Sequence, residues 1–195
     1  TGFETGQPTP AEHGHVVKKI LELSVVASPI AAPRSGNWRV ELNDPARSVM
    51  TDFNEHGIVS VAANLQVDEA LEIMRHAGVR SAFVTNEAHD VVLGLITAYD
   101  IMGDKPIRFL QTSGGSREDV VVSDIMDATD DWQVAHMHEV EQASVSVILD
   151  TFSAMGRTHL PVVEDDGGGK RLRGVFSAAK VLRLTELARR LAKKG

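Results

Sequence analysis

The feature that most constrains this chain is that it repeats itself. Val49-Met50 returns as Ile125-Met126, and the apolar run IVSV at 58–61 returns as VAHM at 134–137, both at an offset of 76 residues. A helix-spaced face of Val67, Leu71 and Met74 returns as Val145, Leu149 and Phe152, at an offset of 78. Gly78 and Gly156 follow at that offset, and so do the strand-like AFVT and LPVV. Glycine suits the left-handed residue that closes a helix. The turn EDDGGGKRL is longer than NEAHDVVL, so the closing stretches GLITAYDI and GVFSAAKV stand 80 residues apart. The spacing drifts in loops and is kept inside elements, as a duplicated fold requires.

Each copy reads strand, helix, strand, turn, strand, short helix. A lone unit of roughly 60 residues has a marginal core. The expected fold is therefore α/β (α+β), with two units packed face to face in one module from about 48 to 185. The repeat divides the chain into a first unit at 48–104, a link at 105–123 with a flexible Gly-Ser patch at its centre, and a second unit at 124–185. Ahead lies an arm, 1–47. There Thr9, Pro10, Ala11 and Glu12 form a capping box, and Val16, Val17, Ile20 and Leu21 predict one amphipathic helix before the extended SPIAAPRSGN. Behind lies a basic tail, 186–195. The stripe of Val181, Leu184, Leu187 or Ala188, and Leu191 predicts a terminal helix whose cations complement its dipole. A basic handle for an acidic partner is the other use of that tail.

Several function classes drop out. The 195 residues contain no cysteine, which excludes disulfides and cysteine-ligated zinc. The apolar runs are too short to span a bilayer, and no secretory signal is evident, so no membrane insertion and a cytoplasmic location are expected. The net charge is −7, with bases gathered at the C-terminal end, which argues against bulk nucleic-acid binding. GGGK at 167–170 lacks the spacing of a phosphate loop and reads as a hairpin turn. Asp127, Asp130 and Asp131 lack the glycine and distal glutamate of a calcium loop and read as a solvated acidic turn. The pairs His13 with His15 and His136 with His138 have no third ligand at suitable spacing, so no metal site is expected. No Ser, His and Asp set stands out as catalytic.

The chemistry gathers where each last strand hands over to a helix. Thr97 and Ser177 sit near helix N-termini, where N–H groups and the dipole favour an anion. Asp100 lies one turn on, and its carboxylate suits the vicinal hydroxyls of a ribose. Together these describe a nucleotide site, although Thr and Asp at such a junction equally describe a helix cap.

The VMT and DIM lead-ins, the THLPVVED strand and the endings GLITAYD and GVFSAAK resemble a tandem pair of CBS domains, the Bateman module. The resemblance implies two CBS-type β-α-β-β-α repeats about a pseudo-twofold axis. It also implies a non-enzymatic regulatory role: binding AMP, ADP, ATP or S-adenosylmethionine between the repeats and controlling a partner protein, as a disk-shaped homodimer. Carried over by position, Thr97 would contact phosphate, Asp100 would hold the ribose diol and Tyr99 would line the cleft. Arg80 and Thr158 would face the pocket, with Ser177 at the second junction. His159 would contact phosphate, and Ile58 and Val134 would flank the adenine. Two departures qualify this. Lys180 stands where the second carboxylate should be, and Phe83 replaces the proline kept at Pro161. They keep open a dimeric scaffold with degenerate sites. A small enzyme with its chemistry in the arm is a third reading.

Overall fold

The computed structural model describes residues 21–22, 24–25, 28–33 and 39–192, with side chains described up to Glu186. The expected arm helix, His13, His15 and the last lysines lie outside these residues. The chain divides into two compact units, Thr1–Ser35 and Gly36–Gly195. In the first, Leu21, Val25 and Ile30 are exposed.

The second unit opens with a 3-10 turn at Ala46–Val49. There follow β1 (Thr51–Asp52), β2 (Ser60–Ala62), α1 (Val67–His76), β3 (Ser81–Thr85), β4 (Val92–Thr97) and α2 (Ala98–Met102). Next come α3 (Lys105–Ser113), α4 (Val122–Ile125), β5 (Asp127–Ala128), β6 (Ala135–His136) and α5 (Met137–Val140). The chain ends with α6 (Val145–Met155), β7 (His159–Asp166), β8 (Gly169–Ser177) and α7 (Ala178–Ala192). The duplicated order expected from the sequence is present. In α1 the Gln66 side chain accepts from the N–H groups of Asp68 and Glu69, and Val67, Ala70 and Met74 are buried. In α6 the buried face is Val145, Ile148 and Phe152. Gly78 and Gly156 close these helices with φ of 69° and 65°, as left-handed caps. GGGK lies in the β7–β8 hairpin, at its turn and the start of β8.

The two sheets are not made from one repeat each. One has the order β2-β3-β4-β5 and the other β1-β8-β7-β6. Each lead-in strand therefore crosses to the other repeat: Thr51 and Asp52 pair with Val175 and Gly174, and Asp127 and Ala128 pair with Leu95 and Gly94. The cores follow the same exchange. Val49 and Met50 are buried with Val145, Ile148, Leu160, Phe176 and Val181, while Val122 and Ile125 are buried with Val67, Met74, Val84, Ile96 and Ile101. Burying each such side chain contributes about 1.5–3 kcal/mol, so neither half holds its core without the other's lead-in.

The exchange explains the glycine of both closing motifs. A Cβ on Gly94 would stand 2.7 Å from the Asp127 carbonyl oxygen and 2.8 Å from Met126 Sδ. On Gly174 it would stand 2.6 Å from the Thr51 oxygen and 2.9 Å from Met50 Sδ. These glycines let the exchanged strands approach.

The link differs from its expectation. Residues 105–113 form a helix with Pro106 in its first turn and Gly114 at its end, and Phe109 and Leu110 pack on the first core. Ser116 and Asp119 form a capping box, and Arg117 binds both Asp68 carboxylate oxygens and the Ile101 carbonyl, at 3.1 Å or less. The Gly-Ser patch is thus a helix end meeting a cap rather than a flexible tether.

One exchanged strand carries a buried ion pair. Asp52 and Arg173, 5% and 8% exposed, pair directly. Arg47 reaches Asp52 at 2.9 Å, and Glu164 takes Arg173 Nε at 3.1 Å. Burial raises the Asp52 carboxyl, but bonds from Arg173, the Asn54 N–H and Arg47 together hold it below its usual value.

Two outcomes follow. Gly94→Ala lowers the urea midpoint by an amount equivalent to about 3 kcal/mol with the slope unchanged, whereas Gly57→Ala, whose Cβ meets nothing within 4 Å, leaves it in place. Asp52→Asn removes about 3 kcal/mol at neutral pH, because the buried Arg173 then keeps only the Glu164 carboxylate at its Nε. Because the folded carboxyl titrates below the unfolded one, its contribution is full above about pH 4 and fades as the pH falls further. Acid titration of stability is accordingly shallower below pH 4 in the variant.

Candidate functional site

The strand-to-helix junction is built twice with different chemistry. At the end of β4, Thr97 is extended and caps α2. Its N–H and hydroxyl both donate to Asp100 Oδ2 at 2.8 Å, and its Oγ1 accepts from the Asp100 N–H at 3.1 Å. The Lys105 ammonium pairs with Asp100 Oδ1 at 2.8 Å. The Asp100 side chain is 18% exposed, so the carboxylate stays within reach of solvent. At the end of β8, Ser177 leads into α7, and Lys180 has no carboxylate to offer its cap. Its ammonium donates instead to Thr51 Oγ1 at 3.3 Å across the exchange. Burial lowers the Lys180 pKa, and the nearby Arg183 lowers it further.

A cleft lies where the halves meet beside β5. Leu95 and Asp127 come from the first sheet, Pro161 and His159 from β7, Arg157 from the turn before it, and Trp132 and Gln133 from the segment after β5; the space enclosed is about 10 Å³. The Arg157 guanidinium donates to both Asp127 oxygens, at 2.9 and 2.8 Å. The Trp132 indole N–H donates to the Asp127 carbonyl at 3.1 Å. Phe83 meets Phe53 edge to face at 5.4 Å and Trp132 at 6.2 Å, so the residue in place of proline builds an aromatic cluster. Burial pushes the His159 imidazole below its usual range, while the Asp100 and Asp127 carboxylates pull it back. His159 and Asp127 line the same cleft.

The structure gathers some of the expected residues and leaves others apart. Thr97 and Asp100 share one junction. Thr158 shares a 3.0 Å hydrogen bond with His159, and His159 is in register with Ser177 across the β7–β8 pair. Tyr99 is 67% exposed, its hydroxyl 3.4 Å from Arg80 Nη1, and Ile58 is partly exposed. Val134 lines a different cavity, about 510 Å³, together with Val140, Val147, Ile148, Met155 and Leu160. Asp127, expected in a solvated turn, is instead a strand residue paired with Arg157. Sequence reading passed over Arg157, Trp132 and Lys105. Asp127 was recoverable as the repeat partner of Thr51, and Arg157 as the residue after the capping Gly156. The His136 and His138 rings lie 5.7 Å apart and tilted by 38°, and among the described residues no three His, Asp or Glu side chains are grouped to hold a metal ion. No helix among them is long and apolar enough to cross a membrane.

The CBS domain family model matches residues 46–104 and 140–186. An uncharacterized conserved protein from Pyrococcus horikoshii has a similar structure, with a TM-score of 0.51 and 22% identity over 73% of this chain and 92% of that one. The CBS domain of the bacterial CNNM/CorC family Mg2+ transporter aligns with a TM-score of 0.51 and 18% identity over 73% of this chain and 76% of that one. The same domain in complex with ATP aligns at 0.51 and 17% identity, over 73% and 88%. At these identities the likeness is one of fold. No curated protein matches the chain.

The capping box stabilises α2 without any ligand. Thr97→Ala therefore lowers unfolding stability by about 1 kcal/mol in ligand-free protein, read by urea denaturation.

Proposed function

The chain belongs to the CBS domain family, and from that premise we propose that it is a regulatory module that binds an adenosine nucleotide between its repeats and controls a partner protein. The observation that carries this reading is that β4, which ends in the Thr97–Asp100 capping box, lines one cleft through Leu95 with His159 of the other half. The Asp100 carboxylate accepts the ribose diol, for which Lys105 gives way. Thr97 at the start of α2, with Thr158 and His159 opposite, receives phosphate. The ligand in that position touches both halves, and it shifts their arrangement only to the extent that it prefers one arrangement. The ATP complex of the CNNM/CorC CBS domain supports a nucleotide as the ligand class. The second junction, with Lys180, offers no acceptor for a diol and is the weaker or altered site. The role is regulatory rather than catalytic, and the assembly is a homodimer.

The competing reading is a dimeric scaffold that binds no nucleotide. The closed state of the cleft and the loss of the second carboxylate favour it.

Calorimetric titration with AMP, ADP and ATP separates the two. The nucleotide reading predicts saturable heat with at least one of them. It also predicts that Asp100→Ala weakens binding by about thirty-fold, the equivalent of about 2 kcal/mol of charge-assisted hydrogen bonding, with the fold retained. Unchanged affinity in that variant contradicts the site, and a protein that stays dimeric yet gives no heat with any nucleotide supports the scaffold.

A further inference from the structure

The cleft beside β5 encloses about 10 Å³, far less than a nucleoside needs, and the contact that spans it is the Arg157–Asp127 pair. Asp127 stands on β5, which belongs to the first sheet by exchange; Arg157 stands on the turn between α6 and β7 of the second half. One guanidinium nitrogen reaches both carboxylate oxygens, so the pair ties the halves together at the mouth of the space. Both side chains are a little over one-third exposed, which leaves the tie open to exchange with a solute. At the equivalent places of the other cleft the repeat puts Thr51 and Val79, which cannot form such a pair.

We propose that Arg157 and Asp127 form an autoinhibitory latch that selects for a phosphorylated ligand. Opening the cleft takes the guanidinium from Asp127. A nucleoside phosphate restores what is lost by giving Arg157 a new oxyanion, in the planar geometry that guanidinium favours. An uncharged nucleoside offers nothing in exchange and meets the full resistance of the latch. Arg157 is therefore a specificity-determining residue, and Asp127 is the internal anion with which the ligand competes. The ligand half of this inference rests on the nucleotide reading; the latch itself does not.

Trp132 reports on the latch directly, because its indole lies in the cleft against the Asp127 carbonyl. The full chain carrying Trp38→Phe has Trp132 as its single tryptophan. In that background, acrylamide quenching without ligand rises severalfold in Asp127→Asn and in Arg157→Gln, with circular dichroism unchanged. Titration with AMP and adenosine then gives opposite patterns. Asp127→Asn binds AMP about three-fold more tightly than the parent, as release of a partly exposed ion pair implies. Arg157→Gln narrows the preference for AMP over adenosine. Quenching unchanged in both variants overturns the latch, and so does weaker AMP binding by Asp127→Asn. If quenching rises but none of the three proteins binds AMP, the nucleotide reading falls and takes the ligand selectivity with it.

Discussion

The pairing of each lead-in strand with the other repeat's sheet is the interaction on which the rest depends. It places Thr51 beside Val175 and Asp127 beside Leu95, so that each four-stranded sheet and each core is completed by a segment of the other repeat, 124 residues away along the chain in one case and 32 in the other. The close approach permits no side chain at Gly94 or Gly174. A half that loses its borrowed lead-in loses a strand and several buried apolar side chains together, so the two repeats fold as one body. The cleft is a by-product of this exchange: its floor and its charged rim come from residues that are neighbours only because the strands cross over.

Duplication gives the two halves the same frame, and the side chains then separate their roles. The second half lengthens its hairpin and buries Asp52 against Arg173, where the first half has Ala128 and Leu93. At the junctions, Asp100 completes a capping box, whereas Lys180 reaches across to Thr51. Under the proposed function, capping and ligand binding are compatible at Thr97 and Asp100. The cap holds the carboxylate at the helix start with one oxygen turned to Lys105, and a cation on a flexible stem is a partner that a diol can replace.

Much of the fold was legible because it is local or periodic. The repeat, the apolar faces of α1 and α6, the closing glycines and the β7–β8 turn all leave marks within a few residues of themselves. The exchange was not legible, since nothing in Val49-Met50 or Ile125-Met126 says which sheet the strand joins. For the same reason the glycines of GLIT and GVFS had no visible purpose until the crossing strands were placed. The helix in the link was not legible because Gly114 reads as part of a Gly-Ser patch, although with Pro106 it marks the two ends of that helix. At the site, Thr97 and Asp100 stood out by spacing and His159 through the family resemblance. Arg157 and Asp127 did not, because an ion pair across 30 residues has no local signature.

The most direct test of the account is an amide NMR titration of the isotope-labelled chain with AMP. If the nucleotide sits between the repeats, signals from both sides of the cleft move together and saturate at one concentration, Thr97 to Ile101 from the first half with Arg157 to Leu160 from the second. Spectra that do not change at millimolar AMP, or changes confined to one half, would contradict it.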